Sequence, residues 1–299
     1  MEWRRILTSN YNPTHWAAVG ARLIGRSLSR LWGRDVMLYT GGVSFFALLA
    51  GFPVIAILLG VLRLLLNPER AAEHIDALVQ LMPPGAQSLV QGELIRLADA
   101  PTQAVSTQSL LALLIGLYAA HRGFKALIAG LSFIHDEDEP LGFVDFNVLA
   151  FLALLSAFAL IILVSAMFLT LRLLASTLHL YPLRDVAWFY SDWTWGSVGL
   201  AFGLTLVYRY AMSSRSVGWR ASGAGGVVAA ALSLTASWAS ALYVRNFAHF
   251  GATYGSVAAV VVLLIWLSWN VNAIFFGAAL ATEIEVLTER AGLILKPTK

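Results

Sequence analysis

The chain has 299 residues, of which 59% are hydrophobic and 12% charged, and its mean hydropathy is +0.73. A soluble domain of that length needs a charged, water-facing surface that this composition does not supply, so the chain reads as an all-α integral membrane protein. The formal charge of +3 is small, which leaves the placement of the basic residues as the informative feature, and the lack of cysteine excludes disulfides, thiolate catalysis and thiolate metal sites.

In chain order, Trp16, Val19, Leu23, Ile24, Leu28 and Leu31 recur at three- and four-residue intervals, while Arg22, Arg26 and Arg30 form a separate stripe. This predicts a cytoplasmic interfacial helix over residues 16–33, lying flat on an anionic inner leaflet. No charge occurs between Asp35 and Arg63, and a first span over about 43–66 can cross roughly 30 Å of hydrocarbon at about 1.5 Å per residue. It is too long for a cleavable signal peptide and has no small-residue cleavage site behind a short apolar core. Within it, Pro53 follows Gly51 and Phe52. A proline there removes a backbone hydrogen bond and kinks the helix, and the freed groups make Pro53 a candidate substrate contact at the midplane.

Residues 68–106 form an amphipathic segment on the periplasmic side, with Ile75, Leu78, Val79 and Met82 before Pro83-Pro84-Gly85 and Leu89, Val90, Leu94 and Leu97 after it. The prolines and glycine divide it into two short helices. A second span, about 109–134, has a short apolar core from Leu110 to Ala120 and must continue past His121, Arg122 and Lys125. The acidic run His135–Glu139 before Pro140 reads as a solvated cytoplasmic turn. Further spans are expected at about 146–171, 193–212, 221–245 and 255–282, the fourth span with Arg209 reaching out to the headgroups. Six spans then form one membrane domain over 1–299. With the N-terminus inside, fourteen of the 20 Lys and Arg residues fall on cytoplasmic segments and six outside, so both termini are cytoplasmic.

The chemistry-bearing residues point away from catalysis. No two of the six His lie three to five residues apart as metal ligands usually do, no Gly-x-Ser-x-Gly turn occurs, and no Gly-rich phosphate loop ends in Lys-Ser or Lys-Thr. Neither a metal, a cofactor nor an enzymatic activity is therefore expected. His121, Arg122 and Lys125 are costly at membrane depth. Either they snorkel to cytoplasmic headgroups and set topology, or they line a basic pocket for an anionic lipid headgroup facing the bundle. Gly199 with Gly203, Gly226 with Ala230 and Gly277 with Ala281 are small-residue pairs for close helix packing. Asn270 and Asn272 need partners inside the bundle, and Asn270 joins the candidate lipid contacts.

Three segments together resemble the YihY/BrkB family of bacterial inner-membrane proteins, once labelled ribonuclease BN. They are Gly42-Val43-Ser44-Phe45-Phe46 through Gly51-Phe52-Pro53, then Tyr118-Ala119-Ala120-His121-Arg122-Gly123-Phe124-Lys125, and last Tyr254-Gly255-Ser256 with Trp266-Leu267-Ser268-Trp269 and Phe276-Gly277-Ala278. Ala279 stands where the family usually carries an acidic residue, with Glu283 the nearest carboxylate, and the proline expected near Ser213 and Ser214 is absent. The resemblance implies a membrane protein of the kind discussed as transporters and virulence-associated factors. The residues themselves speak against a tRNA nuclease, which needs clustered His and Asp ligands and a basic face for phosphates. The expected function is movement of an anionic lipid or other amphiphile, with membrane lipids as partners and no nucleic acid. The alternative is an envelope scaffold that holds a protein partner or a second copy of itself.

Overall fold

The computed structural model describes residues 13–32, 36–65, 87, 107–135, 142–177, 192–212, 216–246 and 258–295. Its elements in chain order are α1 (Pro13–Trp32), α2 (Val36–Leu65), α3 (Thr107–His135), α4 (Phe143–Thr177), α5 (Asp192–Tyr210), α6 (Trp219–Asn246) and α7 (Ala258–Leu295). Among the described residues there is no strand. Among the described residues four stretches are long and apolar enough to cross a membrane: Leu110–His135, Phe143–Met167, Trp219–Tyr243 and Ala258–Glu289. A shorter apolar stretch, Val36–Gly51, opens α2. The expected periplasmic segment 68–106, apart from Gln87, and the acidic run 136–139 lie outside the described residues.

Element boundaries follow local chemistry. Proline at the first position of α1 has no amide hydrogen to leave unpaired and a backbone angle already suited to a helix. Pro53 does not end α2, which runs continuously from Val36 to Leu65. Glycines start two helices: the Gly142 carbonyl accepts from the Phe146 amide at 2.9 Å, and the Gly218 carbonyl from Ser222 at 2.9 Å. Helix α7 continues to Leu295, well past the expected end of the last span at residue 282.

Helix α7 is the hub. It packs most extensively on α6 and also touches α1, α2, α3 and α5, while α2 pairs with α3, α3 with α4 and α4 with α5. The main core gathers Tyr208, Met212, Val217, Phe275, Leu131 and Ile134 with Ala278, Ala279 and Ala281. Leu111, Leu114, Phe151, Leu155, Val198 and Phe202 stay exposed on α3, α4 and α5, as expected of surfaces whose solvent is hydrocarbon.

The apolar stripe of α1 is divided between two environments. Leu31 packs on the core and Val19 and Leu23 are half-buried, whereas Ile24, Leu28 and Trp32 point away from the bundle. A lone amphipathic helix would turn all of them to the membrane. Here α7 takes part of that face.

Candidate functional site

Each of the glycines singled out for packing lies against a particular neighbour. A Cβ on Gly203 would meet Leu160, one on Gly199 would meet Val164, both of α4, and one on Gly226 would run into Thr205 and the Ala201 carbonyl of α5. Gly277 and Gly225 face each other across α6 and α7, each lying where a Cβ on the other would strike its carbonyl. The adjacent glycines 225 and 226 thus serve two different helices, a division that spacing alone does not reveal. Pro53 lies against α3, where any side chain on Gly116 would collide with the proline ring.

Several polar side chains within the spans hold helices together. Thr40 Oγ1 donates to Asn272 Oδ1 at 3.0 Å and Ser268 Oγ to Ser44 Oγ at 3.3 Å, tying α2 to α7. Trp266 Nε1 donates to Ser237 Oγ at 2.9 Å, and Tyr208 OH to the Ile274 carbonyl at 2.6 Å. Asn270 instead donates to the Trp266 carbonyl one turn back on its own helix, at 2.9 Å. The interhelical bond expected of both asparagines is therefore seen for Asn272, because its side chain is the one turned towards α2.

The basic cluster of α3 divides by direction. Lys125 Nζ donates to Asn147 Oδ1 at 2.8 Å, and His121 Nε2 lies 3.3 Å from the Asn147 carbonyl, so these two turn to α4. The Lys125 ammonium also sits 5.5 Å from the ring centres of both Phe143 and Phe146. Arg122 turns towards α2, its guanidinium 5.7 Å from the Phe46 ring and 5.9 Å from Tyr118, and it remains exposed. Residues three apart on a helix differ by about 60° in direction, which is enough to send Arg122 and Lys125 to different neighbours. Cations over aromatic faces keep their charge at reduced desolvation cost. Arg209 is held similarly, 4.4 Å from the Trp219 ring and 5.2 Å from Tyr210, with Nη1 donating to the Val217 carbonyl at 2.6 Å.

The most strongly bonded charges lie where α1, α3, α6 and α7 meet. Glu283 of α7 is 8% exposed and accepts from Arg30 Nε of α1 at 2.6 Å, while Arg26 Nη1 lies 4.0 Å from its other oxygen. Arg30 also donates through Nη1 to the Ile134 carbonyl at 3.1 Å, which caps the end of α3. Beside it, His135 Nδ1 and Thr282 Oγ1 are 3.0 Å apart. Two residues further on, Glu285 accepts from the Gly218 amide at 3.1 and 3.2 Å with its two oxygens, placing a carboxylate at the start of α6 where the helix dipole favours negative charge. Sequence reasoning noticed Glu283 only as the nearest acid to a missing one. The available signal was the unmatched arginine stripe of α1, since a carboxylate buried at the end of α7 needs a cation from elsewhere in the chain.

Among the described residues no group of three or more His, Asp and Glu side chains is placed to hold a metal ion. A family model described as Virulence factor BrkB matches residues 27–294, all but the two ends of the chain. No curated protein and no solved structure matches it.

Proposed function

The chain belongs to the Virulence factor BrkB family, and from that premise we propose that it is a six-span protein of the bacterial inner membrane, both termini cytoplasmic, that moves an anionic lipid or similar amphiphile. Four helices of membrane-spanning length and the family match support the membrane part. The observation that carries the lipid reading is Arg122, an exposed guanidinium set between Phe46 and Tyr118 on a helix whose neighbouring surface is apolar. Lys125, turned to the α4 side of the same helix and cradled by Phe143 and Phe146, adds positive charge beside it. Both positions suit an anionic headgroup at the bundle surface, with its chains along the exposed leucines of α3. On this reading the chain catalyses no chemical step, carries no cofactor and binds no nucleic acid.

Leaflet exchange of a fluorescent anionic lipid in proteoliposomes tests it. Arg122→Gln with Lys125→Gln should slow exchange roughly thirtyfold, at about 1 kcal/mol for each charge near an anionic surface. Exchange at the parent rate, or none with the parent protein, overturns the proposal. The second reading, a non-transporting scaffold for an envelope partner or a second copy, is favoured by the backbone contact of Gly225 with Gly277, which leaves no passage between α6 and α7 at that point.

A further inference from the structure

We propose that Asn147 is a positioning residue that fixes the Lys125 ammonium on α4 without cancelling its charge, so that the site keeps a net positive charge and selects anionic over zwitterionic headgroups. This role rests on the lipid reading of Arg122 and Lys125 and adds to it what the site discriminates. The Asn147 amide has a single orientation. Its Nδ2 donates to the Phe143 carbonyl at 2.6 Å, one turn back on α4, and its Oδ1 accepts from Lys125 Nζ at 2.8 Å. A carbonyl only accepts and an ammonium only donates, so a flipped amide would lose both bonds. The backbone of the same residue serves α3 as well. His121 Nε2 lies 3.3 Å from the Asn147 carbonyl, which can only accept, so the imidazole carries its proton on Nε2.

What holds Lys125 among the described residues is neutral throughout: one amide oxygen and the faces of Phe143 and Phe146. No carboxylate of the described residues pairs with Lys125 or with Arg122. Asp145 is the acid nearest to Asn147 in sequence, but residues two apart on a helix point about 160° apart, and it stands exposed without reaching Lys125. Two cations within one turn of a membrane-spanning stretch are costly when nothing neutralises them. An aspartate in place of Asn147 would bond the ammonium more strongly, since a charge-assisted pair exceeds a bond to a neutral amide. The amide forgoes that strength and leaves the charge in place, which suits a site whose counter-ion arrives with the ligand. Where α1 meets α7 the same chain does the opposite, answering Arg30 with the Glu283 carboxylate at 2.6 Å.

The test compares the affinities of detergent-solubilised full-length protein for fluorescent short-chain phosphatidylglycerol and phosphatidylcholine, with thermal unfolding of the same samples. Asn147→Asp sets a carboxylate against Lys125. It should weaken phosphatidylglycerol binding about fivefold, leave phosphatidylcholine binding as it was, and keep or raise the unfolding temperature. Lys125→Gln removes the same charge by another route and should weaken phosphatidylglycerol binding to the same extent. Asn147→Leu keeps the charge but loses both side-chain bonds, so it should lower the unfolding temperature and keep the preference for phosphatidylglycerol. A residue that merely joined α3 to α4 would move stability and binding in the same direction in both Asn147 variants, and that outcome overturns the proposal. Unchanged phosphatidylglycerol affinity in Asn147→Asp and Lys125→Gln overturns it too, as does equal affinity of the parent protein for the two lipids. A parent that binds as expected but exchanges no lipid between leaflets overturns the transport reading and leaves the role of Asn147 standing.

Discussion

At the α1 end of the bundle, single residues hold several elements at once. Glu283 has three elements around it: its own α7, α1 through Arg30, and α3 through the Ile134 carbonyl that Arg30 also holds. Removing one member of such a pair leaves the other charge with its desolvation uncompensated. Glu283→Gln should therefore cost about 2 kcal/mol, and Arg30→Gln a similar amount, in unfolding measured in detergent. The double variant should cost less than the two single losses added, because the second substitution removes a partner already stranded. Strict additivity would mean that the two groups do not interact. Glu285 caps α6 by a different route, so Glu285→Gln should be milder, at about 1 kcal/mol, and additive with Arg30→Gln.

Helices α6 and α7 are joined by closeness of backbone, as expected where hydrocarbon gives helices no hydrophobic reason to associate. Gly225 and Gly223 make the point within one turn of α6. A Cβ on Gly225 would lie 2.5 Å from the Gly277 carbonyl oxygen and 2.9 Å from the Ala281 Cβ, whereas one on Gly223 meets nothing within 4 Å. Gly225→Ala should thus destabilise by about 1–3 kcal/mol through overpacking. Gly223→Ala should be neutral or stabilise by up to about 1 kcal/mol through helix propensity. Equal effects of the two in thermal unfolding would show that α6 and α7 do not approach as closely as this. The sequence motif pointed to Gly226 with Ala230, and Gly226 does pack closely, but against α5. Spacing identifies small residues on a face. It does not say which neighbour that face meets.

At the scale of the molecule, the proposed topology has a direct test because the chain has no cysteine of its own. Single cysteines at Ser29 and Ser88 should react with a membrane-impermeant maleimide from opposite sides, Ser29→Cys from the cytoplasm and Ser88→Cys from the periplasm. Labelling of both from one side would overturn the six-span arrangement. Composition and the length of the apolar runs already determined that this is a helical membrane protein, and where four of its long helices lie, because hydrocarbon thickness and the need to satisfy every backbone group act on each segment separately. The arginine stripe of α1 and the small residues of the spans were legible for the same reason, being periodic within one helix. Which partner each of them meets was decided only by tertiary structure: Arg30 with Glu283, Gly277 with Gly225, Pro53 with Gly116, and Arg122 parted from Lys125. Such contacts join residues as much as 253 positions apart, and a single helix's periodicity contains no information about the direction from which another helix arrives.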